Sequence, residues 1–239
     1  MFRHKTNEQY MKWEREFHVY EHADTNDTNE WIDIERINEP AWQSRYDYES
    51  NIISHFINEI DMKTILEIGS GPGELSKYVH NKVNHLIEYD LVDKPLAKKA
   101  FIDLGYKGNF FVKDISHNLD LDGLKTSYDL IICNDCLEHL FSPSAIIQKF
   151  YHLISEDGFV FISNPNWRMG HWFIYRGLFD YDNFNYFMHV HGFNLKYSFP
   201  SPLQTMNIPK LDSESEMSSE LHTSWNHYLI YQKRELSKN

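Results

Sequence analysis

The sequence has few cysteines, a shortage of basic residues and no long apolar run. Two cysteines are too few for a disulfide framework, which favours a reducing, cytoplasmic compartment. The 23 basic residues are outnumbered by 35 acidic ones, and the resulting net charge of −12 speaks against a nucleic-acid partner. No apolar run approaches the roughly 18 residues that cross a bilayer, and the first residues lack the apolar core of a signal peptide. We therefore expect neither a nucleic-acid nor a membrane partner.

The composition is otherwise that of one globular domain with an appendage. The 239 residues are 41% hydrophobic, which is enough for a sizeable core. Aromatic residues make up 15% of the chain, and many lie at 10–48 and 167–199, outside the central region. We expect residues 1–44 to be a polar and aromatic segment, a candidate lid, and residues 45–239 to be the main domain.

Patterns typical of strands and helices alternate through the main domain. Alternating strands and helices predict an α/β fold with a mostly parallel sheet of seven strands and helices on both faces. The strands are predicted at 64–68, 85–89, 109–113, 128–133, 159–163, 193–199 and 227–232, and the helices at 45–60, 74–80, 94–104 and from residue 142 onward.

A glycine-rich segment, residues 65–74, follows the first predicted strand and reads ILEIGSGPGE. Glycine at every second position suits a tight turn that a ligand approaches closely, because glycine lacks a side chain and tolerates positive φ. A dinucleotide fingerprint would need glycine where Glu74 stands, and a phosphate loop would need a Gly-Lys pair. A third interpretation is a loop that packs against an amino acid joined to a ribose, with Glu67 accepting a hydrogen bond from the ammonium group or orienting it through water. A plain structural turn is the alternative.

Four further motifs follow in order: Asp90 with Glu88, then Lys113-Asp114-Ile115, the stretch YDLIICNDCLEHL at 128–140, and ISNPN at 162–166. Together with the glycine turn they resemble the class I S-adenosylmethionine-dependent methyltransferases over residues 45–170. The stretch at 128–140 is similar to small-molecule and sugar-modifying members, including those of ubiquinone biosynthesis. The resemblance implies a Rossmann-like fold, S-adenosylmethionine as cofactor and methyl transfer as the activity.

The resemblance also implies which residues bind the cofactor. In the family, an acid that ends strand 2 binds both ribose hydroxyls; Asp90 is assigned this role, with Glu88 as the competing assignment. Asp114 is expected to contact the adenine amino group, and the helix before strand 1 to reach the cofactor carboxylate. A helix cap or turn is the alternative role for Asp90 and Asp114. The full predicted set is Arg45, Tyr46, Glu67, Gly69, Ser70, Gly71, Gly73, Glu88, Asp90, Leu91, Asp114, Ile115 and Asn134.

His139 is the first candidate for a catalytic base, because it follows strand 4 and imidazole titrates near neutral pH. Its alternative role is to order the junction between the strand and the next helix. Asp135 and Glu138 share a face with His139 if the turn is helical, and related patterns bind a divalent metal with a later histidine. Otherwise the two acids serve the fold or the substrate. The candidates for the later histidine are His171, His189 and His191.

The segment after strand 5 is expected to cover the acceptor. Residues 164–192 form this predicted insert, and residues 200–226 form a long loop. The resemblance implies a small acceptor methylated at oxygen, such as a sugar, a nucleotide-linked sugar or a phospho-compound, by analogy in surface-glycan biosynthesis. A non-catalytic cofactor-binding module and a nucleic-acid methyltransferase are the rival functions. The predicted acceptor-binding residues are Asn166, Trp167, Arg168 and His171.

Overall fold

The computed structural model of the chain describes residues 40–115, 118–165, 178–200 and 226–234. Most of the predicted elements are present within these ranges. The helices are α1 (Pro40–Ile60), α2 (Glu74–His80), α3 (Pro95–Asp103), α4 (Pro143–Leu153) and α5 (Tyr181–Val190). The strands are β1 (Thr64–Ile68), β2 (Glu88–Asp93), β3 (Asn109–Val112), β4 (Tyr128–Asn134), β5 (Ile154–Pro165), β6 (Phe193–Pro200) and β7 (Asn226–Lys233).

The seven strands form one sheet in the order β3-β2-β1-β4-β5-β7-β6. The first five strands are parallel, and β7 runs antiparallel to both of its neighbours. The predicted mostly parallel, Rossmann-like sheet is therefore confirmed. Chain order reverses at β1, whose neighbours are β2 and β4, and ligands of open α/β sheets bind at such a switch point.

Helices cover both faces of the sheet, as predicted. On one face, α1 buries Ile52, Ile53 and Phe56, which share one side of the helix because side chains three and four positions apart are neighbours. On the other face, α4 and α5 pack against a second apolar layer that includes Phe150 and Phe184. Strands with apolar cover on both sides read as continuous apolar runs, which is why β4 was recognisable from the sequence.

Strand β2 is displaced from its predicted position. It begins at Glu88 and ends at Asp93, and its residue Val92 pairs with Ile68, the last residue of β1. The prediction of a strand at 85–89 is therefore wrong. Asp90 lies inside the strand and is 2% exposed. A carboxylate is stable in such a position only when it has hydrogen-bond or ionic partners.

Helix α1 begins at Pro40, five residues before the predicted start, and β5 is longer than predicted at both ends. Residues 1–39, the bulk of the candidate lid, lie outside the described residues. Within the ranges that the structure describes, no helix combines the length and the apolar character needed to pass through a bilayer.

Candidate active site

The glycine turn connects β1 to α2 at the carboxyl edge of the sheet. Gly69, Gly71 and Gly73 have φ values of 70°, 54° and 93°. In this left-handed region the backbone of any residue other than glycine is strained. The turn is held to β2, because the Gly69 amide donates to the Val92 carbonyl over 2.9 Å. The Ser70 hydroxyl donates to the Gly71 carbonyl over 3.2 Å. The result is a fixed concave backbone with no side chain on three of its positions.

Asp93, not Asp90 or Glu88, is the acid that ends β2 beside this turn. Its Oδ2 accepts a hydrogen bond from the Gly71 amide over 2.7 Å, and its Oδ1 accepts one from the Lys94 amide over 2.6 Å. Burial raises the pKa of the Asp93 carboxyl, and the two amide donors oppose that rise. Each carboxylate oxygen retains lone pairs that can accept further O–H donors.

The three predicted β2 residues have partners within the chain, and their assignment to the cofactor stays a prediction. Asp90 accepts a hydrogen bond from the Tyr128 hydroxyl over 2.6 Å and one from the Asn109 amide over 2.9 Å. Glu88 begins the strand at the end remote from the glycine turn and pairs with Lys125. Leu91 is fully buried in the apolar layer beneath α1.

Glu67 lies beneath the glycine turn and is 2% exposed. The Tyr89 hydroxyl donates to its Oε2 over 2.8 Å. Burial raises the pKa of Glu67 to about 8, more than the hydrogen bond from Tyr89 lowers it, and the negative charge of the buried Glu74 adds to the rise. A cationic ligand group beside these carboxyls would be attracted to them and would favour their ionised form.

The other predicted cofactor residues lie around the same edge. Ile115 is 8% exposed, and its side chain comes within 3.9 Å of the position that a Cβ on Gly69 would take. Asp114 precedes it in the loop after β3. The ring of Tyr46 on α1 packs between Trp42 and Tyr78, with centroid distances of 6.1 and 6.0 Å.

Arg45 on α1 is the centre of a charge cluster in which Glu49 is fully buried and Arg45 and Asp135 are partly buried. Its Nε donates to Glu49 Oε1 over 2.7 Å, and its guanidinium also forms an ion pair with Asp135. Glu49 Oε2 accepts a further hydrogen bond from the Asn134 amide over 2.8 Å. Burial opposes the charge on Arg45, but Asp135 and Glu49 outweigh it and hold its pKa well above the usual value. The structure thus places Arg45 and Asn134 against acids of the chain itself.

Asp135 directly follows β4 and has a φ of 44°, rare for a residue other than glycine. The Ser163 hydroxyl donates to its Oδ1 over 2.6 Å, and the Asn226 amide donates to the same atom over 3.2 Å. These partners and Arg45 hold the carboxylate at the ends of β4, β5 and β7. The predicted helical face shared by residues 135, 138 and 139 does not form, because the left-handed Asp135 precedes a short 3₁₀ turn at Leu137–His139.

Glu138 and His139 lie in that turn, with His139 Nε2 3.7 Å from Glu138 Oε1. Glu138 is fully buried, whereas about a third of the His139 side chain is exposed. His191 is hydrogen-bonded to Ser144 on α4, and His189 is hydrogen-bonded to Asn194 on β6. Across residues 40–115, 118–165, 178–200 and 226–234, no three His, Cys, Asp or Glu side chains are grouped as metal ligands.

The predicted acceptor residues lie outside the described residues; they are Asn166, Trp167, Arg168 and His171.

Two residues of the site were missed by sequence reasoning. Asp93 could have been found as the acid that immediately precedes the Lys94-Pro95 helix start, since proline favours the first turn. Glu49 could have been found as the acid four positions after Arg45 on a helix.

A family model described as a methyltransferase domain matches residues 42–197. The ubiquinone biosynthesis O-methyltransferases of Nitrosomonas europaea and Shewanella halifaxensis are 29% identical over 122 residues and 31% identical over 118 residues. Each match covers 48% of this chain and 49% of the relative, so the chain spans about half the length of the curated relatives it matches.

The fold has a solved counterpart in the plantazolicin methyltransferase BamL, whose structure was determined with a desmethylPZN analogue and SAH. The two chains are 15% identical, the alignment covers 95% of each, and the TM-score is 0.64. At that identity the likeness concerns the fold. The family model spans well over half of the chain, from α1 to β6, and includes the glycine turn and its acids. This chain belongs to the methyltransferase-domain family and resembles its class I S-adenosylmethionine-dependent members.

Proposed function

We propose that the chain transfers a methyl group from S-adenosylmethionine to an oxygen of a small-molecule acceptor. The glycine turn carries this proposal. Its three left-handed glycines leave room for close approach of a ligand at the switch point of the sheet, and the buried Glu67 lies beneath it. Membership of the methyltransferase family makes a methyl-donating nucleoside the appropriate ligand.

The described residues fit that cofactor. We assign the ribose hydroxyls to Asp93, the ammonium group to Glu67 and the adenine ring to the apolar side chain of Ile115, with Asp114 at the adenine amino group. When bound, S-adenosylmethionine supplies a methyl group activated by a sulfonium. The protein then has to align the acceptor with that group and exclude water, and such alignment alone supplies several kcal/mol, up to about 7–11 in ideal geometry.

Asp93→Ala should weaken S-adenosylmethionine binding by about 30-fold, because two charge-assisted hydrogen bonds to the ribose are lost. Isothermal titration of the purified variant measures the change. Glu88→Ala is the matched control, since it removes an exposed carboxylate from the opposite end of the same strand. Equal losses in the two variants would contradict the assignment of Asp93.

His139 is the proposed general base. Its ring is partly exposed beside the buried Glu138, at the carboxyl end of β4 where the acceptor is expected. When the acceptor oxygen takes the methyl group, the carbon–sulfur bond would break to leave S-adenosylhomocysteine, and the O–H proton would pass to the imidazole of His139. General-base assistance of this kind is worth about 10²–10⁴-fold in rate.

His139→Ala should therefore lower kcat by about 100-fold while leaving cofactor affinity unchanged. The assay follows S-adenosylhomocysteine formation with a panel of phenols, sugars, nucleotide sugars and phospho-compounds, and calorimetry measures cofactor binding. Wild-type turnover by the variant on an accepted substrate removes His139 as the base. Cofactor binding by the wild-type protein without turnover on any acceptor would favour the non-catalytic binding module.

The finer identity of the acceptor follows only from resemblance. Sequence motifs favour a sugar, a nucleotide-linked sugar or a phospho-compound, and two relatives are named for ubiquinone biosynthesis. Both kinds of compound therefore belong in the panel. The net charge of −12 supports a small acceptor over a nucleic acid.

A further inference from the structure

Glu74 is a buried carboxyl beside the glycine turn. It opens α2 and is 4% exposed. In the part of the chain that the structure describes, its Oε1 has no hydrogen-bond partner. Its Oε2 lies 3.7 Å from the position that a Cβ on Gly71 would take, so the carboxyl faces the concave backbone of the glycine turn.

The titratable and charged groups around Glu74 come from every element that packs there. Most of these groups are acids or phenols. Lys77 is the one cation in this set, and its ammonium lies 5.4 Å from the ring centroid of Tyr106. Burial raises the pKa of Glu74 to about 7, and the backbone amide of Glu74 and the charge of Lys77 oppose that rise only in part. The set comprises Tyr46 on α1, Glu67 on β1, Lys77 on α2, Asp93 at the end of β2 and Tyr106 after α3.

A buried carboxylate without a partner is costly, so such a group either holds a proton or receives a cation. We propose that Glu74 is a second carboxylate, beside Glu67, that receives a positive charge of the bound cofactor. This inference rests on the proposed function, because S-adenosylmethionine carries two such charges, an ammonium and a sulfonium. When the cation arrives, the proton on Glu74 is released to solvent.

The test is calorimetry at pH 7 in two buffers of different ionisation enthalpy, with S-adenosylmethionine and S-adenosylhomocysteine as ligands. The wild-type protein should release protons on binding. Glu74→Gln should release fewer and should bind S-adenosylmethionine about tenfold more weakly, since a charge-assisted contact is lost. Glu59→Gln, which neutralises an exposed acid on α1, is the control and should match the wild type.

The two ligands distinguish the two charges. A loss of affinity for both ligands assigns Glu74 to the ammonium group, and a loss for S-adenosylmethionine alone assigns it to the sulfonium. Glu67→Gln gives a second measurement that does not alter Glu74, and about half a proton should still be released at pH 7.

If Glu74→Gln binds S-adenosylmethionine with the wild-type affinity and releases as many protons as the wild type, the inference is overturned and the proposed function stays intact. If that variant fails to fold, as judged by its thermal transition, Glu67→Gln decides: binding without proton release overturns the inference. A wild-type protein that binds neither nucleoside would overturn the proposed function together with it.

Discussion

Arg45→Met should lower the free energy of unfolding by about 3 kcal/mol at pH 8, because the buried Glu49 and the partly buried Asp135 would keep negative charges without their cation. Removal of one partner from a buried ion pair costs more than the pair contributes, since the remaining charge stays desolvated. Urea denaturation followed by tryptophan fluorescence measures the change. We expect the loss to be smaller at pH 5 than at pH 8.

The sign of that pH dependence follows from proton binding. Burial raises the pKa of Glu49, and the variant removes Arg45, which opposes that rise, so the folded state binds more protons than the unfolded state and its stability falls as pH rises. Lys82→Met is the control, because it removes the cation paired with Asp47, a half-exposed acid on the same helix as Glu49, and should cost within about 1 kcal/mol. Equal losses in the two variants, or a loss independent of pH, would contradict the buried cluster.

Gly69→Ala should lower the free energy of unfolding by about 3 kcal/mol and weaken cofactor binding. A Cβ at this position would lie 2.8 Å from the Cβ of Cys136 and closer still to its sulfur, while φ is +70°. The left-handed conformation costs about 1–2 kcal/mol for alanine, and overpacking costs a further 1–3 kcal/mol. Thermal or urea unfolding measures the stability, and calorimetry measures the cofactor affinity.

Gly105→Ala separates the two contributions. Gly105 has a similar φ of +66°, but nothing lies within 4 Å of its added Cβ, so the variant should lose about 1 kcal/mol from backbone strain alone. Cys136→Ala in the Gly69→Ala background should restore part of the stability by removing the sulfur. Equal losses at the two glycines would show that the contact with Cys136 contributes nothing.

The elements that sequence reasoning found best are those with a strong local pattern. Helix α2 was predicted with the observed bounds, and α1 was found from its apolar face, because helical periodicity is a property of neighbouring residues. The sheet followed from the alternation of strands and helices. The three glycines were identified with their conformation, since few other residues adopt positive φ.

Strand β2 was misplaced because of an acid inside it. Asp90 was taken as the residue that ends the strand, because the methyltransferase family has an acid at that place; a carboxylate inside a buried strand is costly. The structure offsets that cost with the Tyr128 hydroxyl and the Asn109 amide, which are 38 and 19 positions away in the chain. A local pattern holds no information about partners so distant, and Asp93 was overlooked as a result.

The charge cluster shows the same limit. Arg45 and Asp135 are brought together by the packing of α1 across the ends of the strands, and Asn134 meets Glu49 across 85 positions. Arg45, Asn134 and Asp135 were singled out from the sequence and Glu49 was not, and the contacts among the four depend on topology. Sequence therefore predicted which residues lie near the site but not which of them satisfy one another.

The place of β7 in the sheet has a consequence for synthesis on the ribosome. This strand is the last of the described elements to emerge, yet it lies between β5 and β6. Until residues 226–233 have been translated, β5 presents open backbone amides and carbonyls, and β6 has no partner strand. Nascent chains would expose these strand edges, which can pair with strands of other molecules. Rapid completion of translation or binding of a chaperone would therefore protect the polypeptide from aggregation.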